Sequence, residues 1–364
     1  MANETVLELL RRMRNDSVEV ATADPSLLKA AANVDKIISP ILYIFGFPGN
    51  LIAIIIWLQP RMRHSSGTYL AALGFVDLLF MVIHVMFEIY KVWGVQMFDA
   101  PGICELLPVV YMATQYLSPL LVLGFTVERF IGVQFPSKRQ IYCTINRARI
   151  ASFALALFAL AIGSMQGYIY KYNSKLDFCG LREAAVRGGH ASLWSIWTWI
   201  TEMLVFMCVP MLILMFNVMI IRRIRNLAEI EKSYSSKALT TTFSLLVVSF
   251  YFIITTFPVS IIYAIRYYYV PSEDTVAGDP QKQAQYMLAK TIIEEIGTTH
   301  HACKFYIFLI TEQAFRAEFL RVVAKVLPIS RDKIGYEQQT EVTANTEWHE
   351  AEMGEVGVRD ETDM

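Results

Sequence analysis

The residues that could do chemistry in this sequence are charges set among apolar neighbours. The stretch IEEIGTTHHACKFYIFLITEQAFR, residues 293–316, carries Lys304 in its middle. YLAALGFVDLLF carries Asp77, and Glu88, Glu202 and Glu294 interrupt other apolar runs. A charge inside a bilayer is costly and is kept where it pairs or binds something. Two readings of Lys304 stand open. It pairs with a buried acid, or its long stem carries the ammonium out to the interface. Other chemistry is excluded. The six histidines (64, 84, 190, 300, 301 and 349) are scattered without metal-ligand spacing. There is no nucleotide loop and no nucleophile elbow. No enzyme, cofactor or nucleic-acid partner is expected.

The elements that must position these charges are membrane spans. The chain has 364 residues, 55% hydrophobic and only 18% charged, with a mean hydropathy of +0.40, below the charge content of ordinary soluble proteins. Apolar residues cluster into seven runs near 38–59, 68–92, 106–134, 149–170, 192–221, 238–268 and 287–311. Each has about the 20 residues that cross a bilayer. Strand signals are absent, so the expected fold is an all-α bundle of seven transmembrane helices. No internal repeat is visible and the span count is odd, which disfavours an inverted-repeat transporter or a channel of that design.

Orientation follows from the loops. Arg61, Arg63, Lys138, Arg139, Arg147, Arg149, Arg222, Arg223 and Arg225 share one side, which places that side in the cytoplasm and the N-terminus outside. Residues 1–37 are then an extracellular tail, in which Asn3 and Asn15 are N-glycosylation acceptors or chance triplets. That tail has no apolar run of a secretory signal, so the first span is expected to direct its own insertion. Of five cysteines, only Cys104 and Cys179 fall on the oxidising side, and a bridge between them is expected. Cys143, Cys208 and Cys303 read as reduced. Residues 312–327 have an apolar and a charged face, as an interfacial helix does. Residues 328–364 are acidic and polar and are expected to be disordered.

Motifs make the bundle specific. GFPGNLIAIIIW places Asn50 in the first span, and SPLLVLGFTVERFIGVQFP ends the third with Glu128, Arg129 and Phe130. FMCVPMLILMFN and FYFIITTFPVSIIY place Pro210 and Pro258 in the fifth and sixth. Over residues 38–325 the chain resembles the rhodopsin-like G-protein-coupled receptors. Within them PRMRHSSGTYLAAL and YLSPLLVLGFTVERFIGVQFP look most like invertebrate FMRFamide-receptor-like neuropeptide receptors. The resemblance implies an extracellular ligand, a heterotrimeric G protein at the cytoplasmic face and residence in the plasma membrane. It implies that Glu128 holds Arg129 at rest, that Arg129 turns inward on activation, and that Pro210 and Pro258 kink their helices into hinges. Thr340, Thr343, Thr346 and Thr362 stand among the acids of the tail. Phosphorylated, they would recruit a basic partner such as arrestin; otherwise the tail is merely solvated.

Departures from the family pattern matter. The sixth span reads TTFP, with Thr256 where an aromatic toggle is usual, and Ala238 stands where many members carry an acid. The seventh reads KFYIF in place of N-P-x-x-Y: Lys304 replaces Asn, Phe305 replaces Pro and Phe308 replaces Tyr. Tyr111, 18 residues before Arg129, stands where amine receptors carry aspartate. The acids Glu88, Glu202 and Glu294, with Tyr111, are the expected ligand pocket. A net-acidic, aromatic-rimmed cavity suits a cationic peptide end, Arg-Phe-amide included. Against this, Glu202 and Glu294 could simply pair with Lys290 or Arg266, and Trp194, Trp197 and Trp199 read equally as an interfacial belt. An opsin would need its lysine higher. Lys304 lies 11 residues before Phe315, three helical turns, too deep for retinal. At that depth the resemblance sets it beside Asp77 and Ser118, where relatives hold sodium, and an Asp77–Lys304 pair is the expectation.

Overall fold

The computed structural model describes residues 25–174, 177–188, 191–230, 236–269 and 280–326. Asn3, Asn15, the tail threonines and the acidic tail lie outside the described residues, as do the side chains of Ala238 and Arg266. Apolar sequence runs become long helices: α1 (Pro25–Trp57), α2 (Ser65–Trp93), α3 (Ile103–Gln134) and α4 (Ile145–Gly163). Then come α5 (Leu193–Met203, continued as Val209–Ile230), α6 (Ser236–Tyr269) and α7 (Pro280–Ala302, continued as Lys304–Thr311). A further helix, α8 (Gln313–Val326), follows. Contacts separate the chain up to Phe315 from a second unit beginning at Arg316. Within the first unit Phe315 is fully buried against Trp57, Phe305 and Phe308.

Three features differ from expectation. First, α1 starts at Pro25 rather than near residue 38. Proline is suited to the first helical position, and the Ala- and Leu-bearing PSLLKAAANVDK supports a helix without being apolar enough to look like a span. Second, six of the described helices are long and apolar enough to cross a membrane. The element at the seventh position, α7, is broken at Cys303 and carries Lys290, Glu294, Glu295 and Lys304. Third, the connection from α4 to α5 contains an antiparallel hairpin, β1 (Tyr170–Asn173) with β2 (Phe178–Leu181), Tyr172 opposite Cys179. Four residues per strand are too few to register as alternation in the sequence.

Helix α3 is the axle of the bundle, touching α2, α4 and α5. Gly163 lets α4 approach it closely: a Cβ there would lie 3.0 Å from Val109 O and 3.1 Å from Ala113 N. The outer end of α3 is tied to the hairpin three ways. Cys104 and Cys179 are disulfide-bonded. Glu105 Oε1 accepts from Tyr172 N at 2.9 Å, and Asp99 Oδ1 accepts from Cys179 N at 2.7 Å. Cys143, Cys208 and Cys303 are free thiols. Trp194 and Trp197 pack against Ile169, Leu181 and Ala185 beneath the hairpin, while Trp199 is exposed, as an interfacial residue would be.

Ahead of Pro210, α5 widens into a π turn over Leu204–Cys208, and Val209 N donates to Leu204 O, five residues back. A proline supplies no N–H to the helix ladder, and a π turn is a recognised way of absorbing that defect. Pro258 sits within α6. There Thr255 and Thr256 hydroxyls donate to Phe252 O, at 3.1 and 2.7 Å.

The bridge closes a loop of 75 residues in sequence. Cys104→Ala should therefore lower thermal stability, by about 2–5 kcal/mol for a native disulfide, and reduce surface expression. Cys208→Ser, at an exposed thiol, should change neither. Thermal unfolding of both purified variants checks this; equal stability of the two would contradict it.

Candidate functional site

The site is built where α2, α3 and α7 meet. Asp77, Ser118 and Lys304 are all buried, Asp77 and Ser118 completely. Lys304 Nζ donates to Asp77 Oδ2 at 2.7 Å and to Ser118 Oγ at 3.0 Å. Ser118 Oγ in turn donates to Asp77 Oδ1 at 2.9 Å. His301 Nδ1 stands 2.7 Å from the same oxygen, a contact in which Nδ1–H is the donor, since a carboxylate only accepts. Both carboxylate oxygens thus have donors, which is the condition under which a buried ion pair is tolerated.

The break in α7 belongs to the same construction. Lys304 starts the new helical segment after Cys303, where the backbone leaves regular helical geometry at φ −101° and ψ −4°. Asn50 Nδ2 donates to His301 O at 2.8 Å, supplying an external donor to a carbonyl at the break. Gly46 and Gly49 bring α1 close enough: a Cβ at Gly46 would stand 3.1 Å from Ala302 Cα, and one at Gly49 would stand 3.2 Å from Phe305 Cβ. His301 stacks on Phe80 at 3.9 Å between ring centres and meets the His300 ring at 3.8 Å. His301 was not among the expected site residues. Its place three residues before Lys304, hence on nearly the same helix face, was the available signal.

Rings continue outward from this centre. Phe80 stacks on Tyr111 at 5.3 Å, Tyr111 meets Phe87 at 4.6 Å, and Phe87 stacks on Phe98 at 4.5 Å. Tyr43 OH lies 2.6 Å from His84 Nδ1. The expected pocket acids gather around Tyr111, which is within electrostatic reach of Glu88, Glu202 and Glu294. Glu202 is buried. Glu294 accepts from Tyr263 OH at 2.7 Å and has Lys290 at 3.6 Å, so the alternative partner foreseen for it is present. Neighbouring Glu295 turns to α1 and accepts from Ser39 Oγ at 2.5 Å. Glu88 lines a cleft of about 160 Å³ with Asp35, Lys36, Tyr43 and Trp93.

At the opposite end the expected Glu128–Arg129 ion pair is not formed. Glu128 Oε1 accepts from Ser65 Oγ at 2.6 Å and from Ser66 Oγ at 3.1 Å. Consecutive helix residues do not face each other, and two hydroxyls at the head of α2 are closer to hand. HSSG before that helix was the overlooked cue. His64 Nδ1 caps the same helix, accepting from Gly67 N at 2.9 Å. Burial, with the Arg129 guanidinium near, holds the His64 imidazole below its usual range, which keeps that nitrogen an acceptor. Phe130 turns to α5, 5.2 Å from the Phe216 ring.

A family model described as 7 transmembrane receptor (rhodopsin family) matches residues 49–303. The chain belongs to this family. Proteinase-activated receptor 1 of Xenopus laevis is 29% identical over 122 residues, 33% of this chain and 29% of that protein. Growth hormone secretagogue receptor type 1 of Sus scrofa is 25% identical over 233 residues, 60% of this chain and 62% of that protein. Proteinase-activated receptor 1 of Homo sapiens is 24% identical over 208 residues, 54% of this chain and 47% of that protein. The chain spans less than two thirds of the length of these relatives. The receptor is a multi-pass membrane protein of a receptor family, not an enzyme family. Its particular feature is a lysine at the α7 break, engaged with Asp77.

Removing one member of a buried pair leaves the other uncompensated, at about 3–5 kcal/mol. Asp77→Asn and Lys304→Met should each lower folded surface receptor and thermal stability, and the double variant should recover part of the loss. A double-mutant cycle with additive losses would contradict the pairing energy inferred from this contact.

Proposed function

We propose that this receptor binds an extracellular peptide with a basic, amidated end and activates a heterotrimeric G protein at its cytoplasmic face. The observation that carries the ligand class is that Glu202 is buried in the bundle and Glu294 accepts from Tyr263, with Tyr111 within electrostatic reach of both, at the end of the bundle where Cys104–Cys179 tethers the hairpin. Carboxylates in a poorly hydrated site favour a cationic group over a neutral one. Lys290 compensates part of this charge at Glu294, and Glu202, buried in the bundle, is read as a further acceptor for a ligand cation. The matched relatives carry names that point to different activators, so neither name is transferred. Resemblance to FMRFamide-receptor-like proteins supports an Arg-Phe-amide terminus in particular. In this reading the N-terminus is outside, Arg129 and Phe130 meet the G protein, Pro210 and Pro258 are the hinges, and the receptor works at the plasma membrane.

The Lys304 ammonium, in the same proposal, serves Asp77 and Ser118 as a built-in cation where relatives hold sodium. An opsin reading gains no support, because the lysine is occupied by Asp77.

Cells expressing the receptor, screened with amidated cationic neuropeptides by calcium and cyclic-nucleotide readouts, should respond to at least one. Glu202→Gln should then raise the agonist concentration required about tenfold or more, since charge-assisted bonds contribute about 1.5–3 kcal/mol, and Glu294→Gln should raise it less. An unchanged dose response in both variants would refute the acidic pocket.

A further inference from the structure

The cleft at Glu88 has walls from α1 and α2 alone. Further in, these two helices pack closely: a Cβ at Gly46 would overlap Met81, and one at Gly74 would stand 3.1 Å from Ile54 Cγ1. Toward the hairpin end, larger side chains line the seam, among them Pro40, Tyr43, Val85 and Ile89. Pro40 also removes a donor from the α1 ladder, which bends a helix. Gly94, at φ 68°, ends α2 directly after Trp93, a left-handed cap that glycine adopts without strain. The charged groups in the wall are Asp35, Glu88 and Lys36. Asp35 is only 6% exposed. Lys36 Nζ lies over the Trp93 ring, 5.9 Å from its centroid, so this ring face already takes an ammonium of the chain's own.

We propose that this cleft holds the phosphocholine headgroup of a membrane phospholipid. Size selects a small occupant. The cleft has about 160 Å³, against roughly 300–1,000 Å³ for a pocket that encloses a drug-sized ligand. Aromatic faces bind quaternary ammonium groups, and here Trp93 and Tyr43 supply the rings while Asp35 and Glu88 supply opposite charge. Much of the wall is apolar, which favours a methylated cation. A primary ammonium would give up more hydrogen bonds to water on entering. Lys36 selects a zwitterion: a bare cation would meet its charge, whereas a phosphate two carbons from the ammonium pairs with it. The source follows from the surroundings. Trp93 is exposed at the end of α2, and tryptophan favours the headgroup level of a bilayer. Inward along the seam, Ile44 lies four residues beyond Pro40 and Val82 seven before Ile89, both exposed. Those spacings keep each on the same helix face as its cleft residue. An acyl chain would cover them; soluble phosphocholine has none. The proposal is independent of the peptide reading, and it gives Glu88 a task other than the one expected for it.

The test is native mass spectrometry of the full receptor in detergent, titrated with dioleoyl phosphatidylcholine, phosphatidylethanolamine and phosphatidylglycerol, and with free phosphocholine. The unmodified receptor should retain one phosphatidylcholine about tenfold more tightly than either other lipid, a preference of the size that cation–π recognition supplies. Trp93→Leu, at an exposed position, and Asp35→Asn, of equal volume, should each reduce that preference to about twofold or less, with thermal unfolding confirming that both variants fold. Lys36→Gln should weaken phosphatidylcholine without raising phosphatidylglycerol. Equal retention of the three lipids, a preference for phosphatidylglycerol, or an unchanged preference in folded Trp93→Leu and Asp35→Asn would overturn the site. Free phosphocholine binding as tightly as the lipid would overturn the membrane source.

Discussion

A carboxylate and an ammonium held inside a membrane bundle constrain everything around them. Each alone costs about 2.5–3.5 kcal/mol at mid-membrane on insertion scales, so the fold must bring them together and satisfy the remaining valences. Asp77 accepts from Lys304, Ser118 and His301, drawing α2, α3 and α7 to one point. The break in α7 at Cys303 accompanies this arrangement, and Asn50 from α1 caps a carbonyl beside it. Four helices are thereby indexed against one another by polar contacts. Apolar packing alone does so less strictly, because lipid is as apolar as the helix faces.

The two ends of the bundle differ in hydrogen-bonding sense. At the end that carries the hairpin, the characteristic groups are carboxylates: Glu88, Glu202, Glu294 and Glu295. At the opposite end, Arg129 Nε and Asn217 Nδ2 are buried without acceptors among the described residues. In the proposed function a cationic ligand meets the first of these two ends. Between them runs a contiguous set of ring contacts, Phe87, Tyr111, Phe80, His301, His300 and Phe252. Contiguity of this kind is a physical path and not by itself proof of coupling. It passes through His301, which also bonds Asp77, so a shift in either would be felt by the other.

Much of this was legible in the sequence because charge in an apolar run is a strong signal. Lys304 could be placed at the depth of Asp77 and Ser118 by counting helical turns back from Phe315. Cys104 and Cys179 could be paired because they alone fall on the side expected to be oxidising, and they are bonded. Weaker signals failed for identifiable reasons. The extension of α1 to Pro25 carries no hydropathy cue. Strands of four residues show no period. The partner of Glu128 is set by three-dimensional proximity to the α2 head, which a neighbour in sequence conceals. His301 was passed over because the histidines show no metal-ligand spacing, a test that is blind to a hydrogen bond with Asp77.

The central claim is that Lys304 is an internal counterion and does not reach for the interface. Solid-state NMR of receptor in lipid, with lysine labelled at ¹⁵Nζ and aspartate at ¹³Cγ, measures this directly, with Lys304→Met and Asp77→Asn assigning the signals. The account predicts an ammonium resonance dipolar-coupled to the Asp77 carboxylate carbon and protected from exchange with water. An uncoupled, freely exchanging Lys304 signal would contradict it.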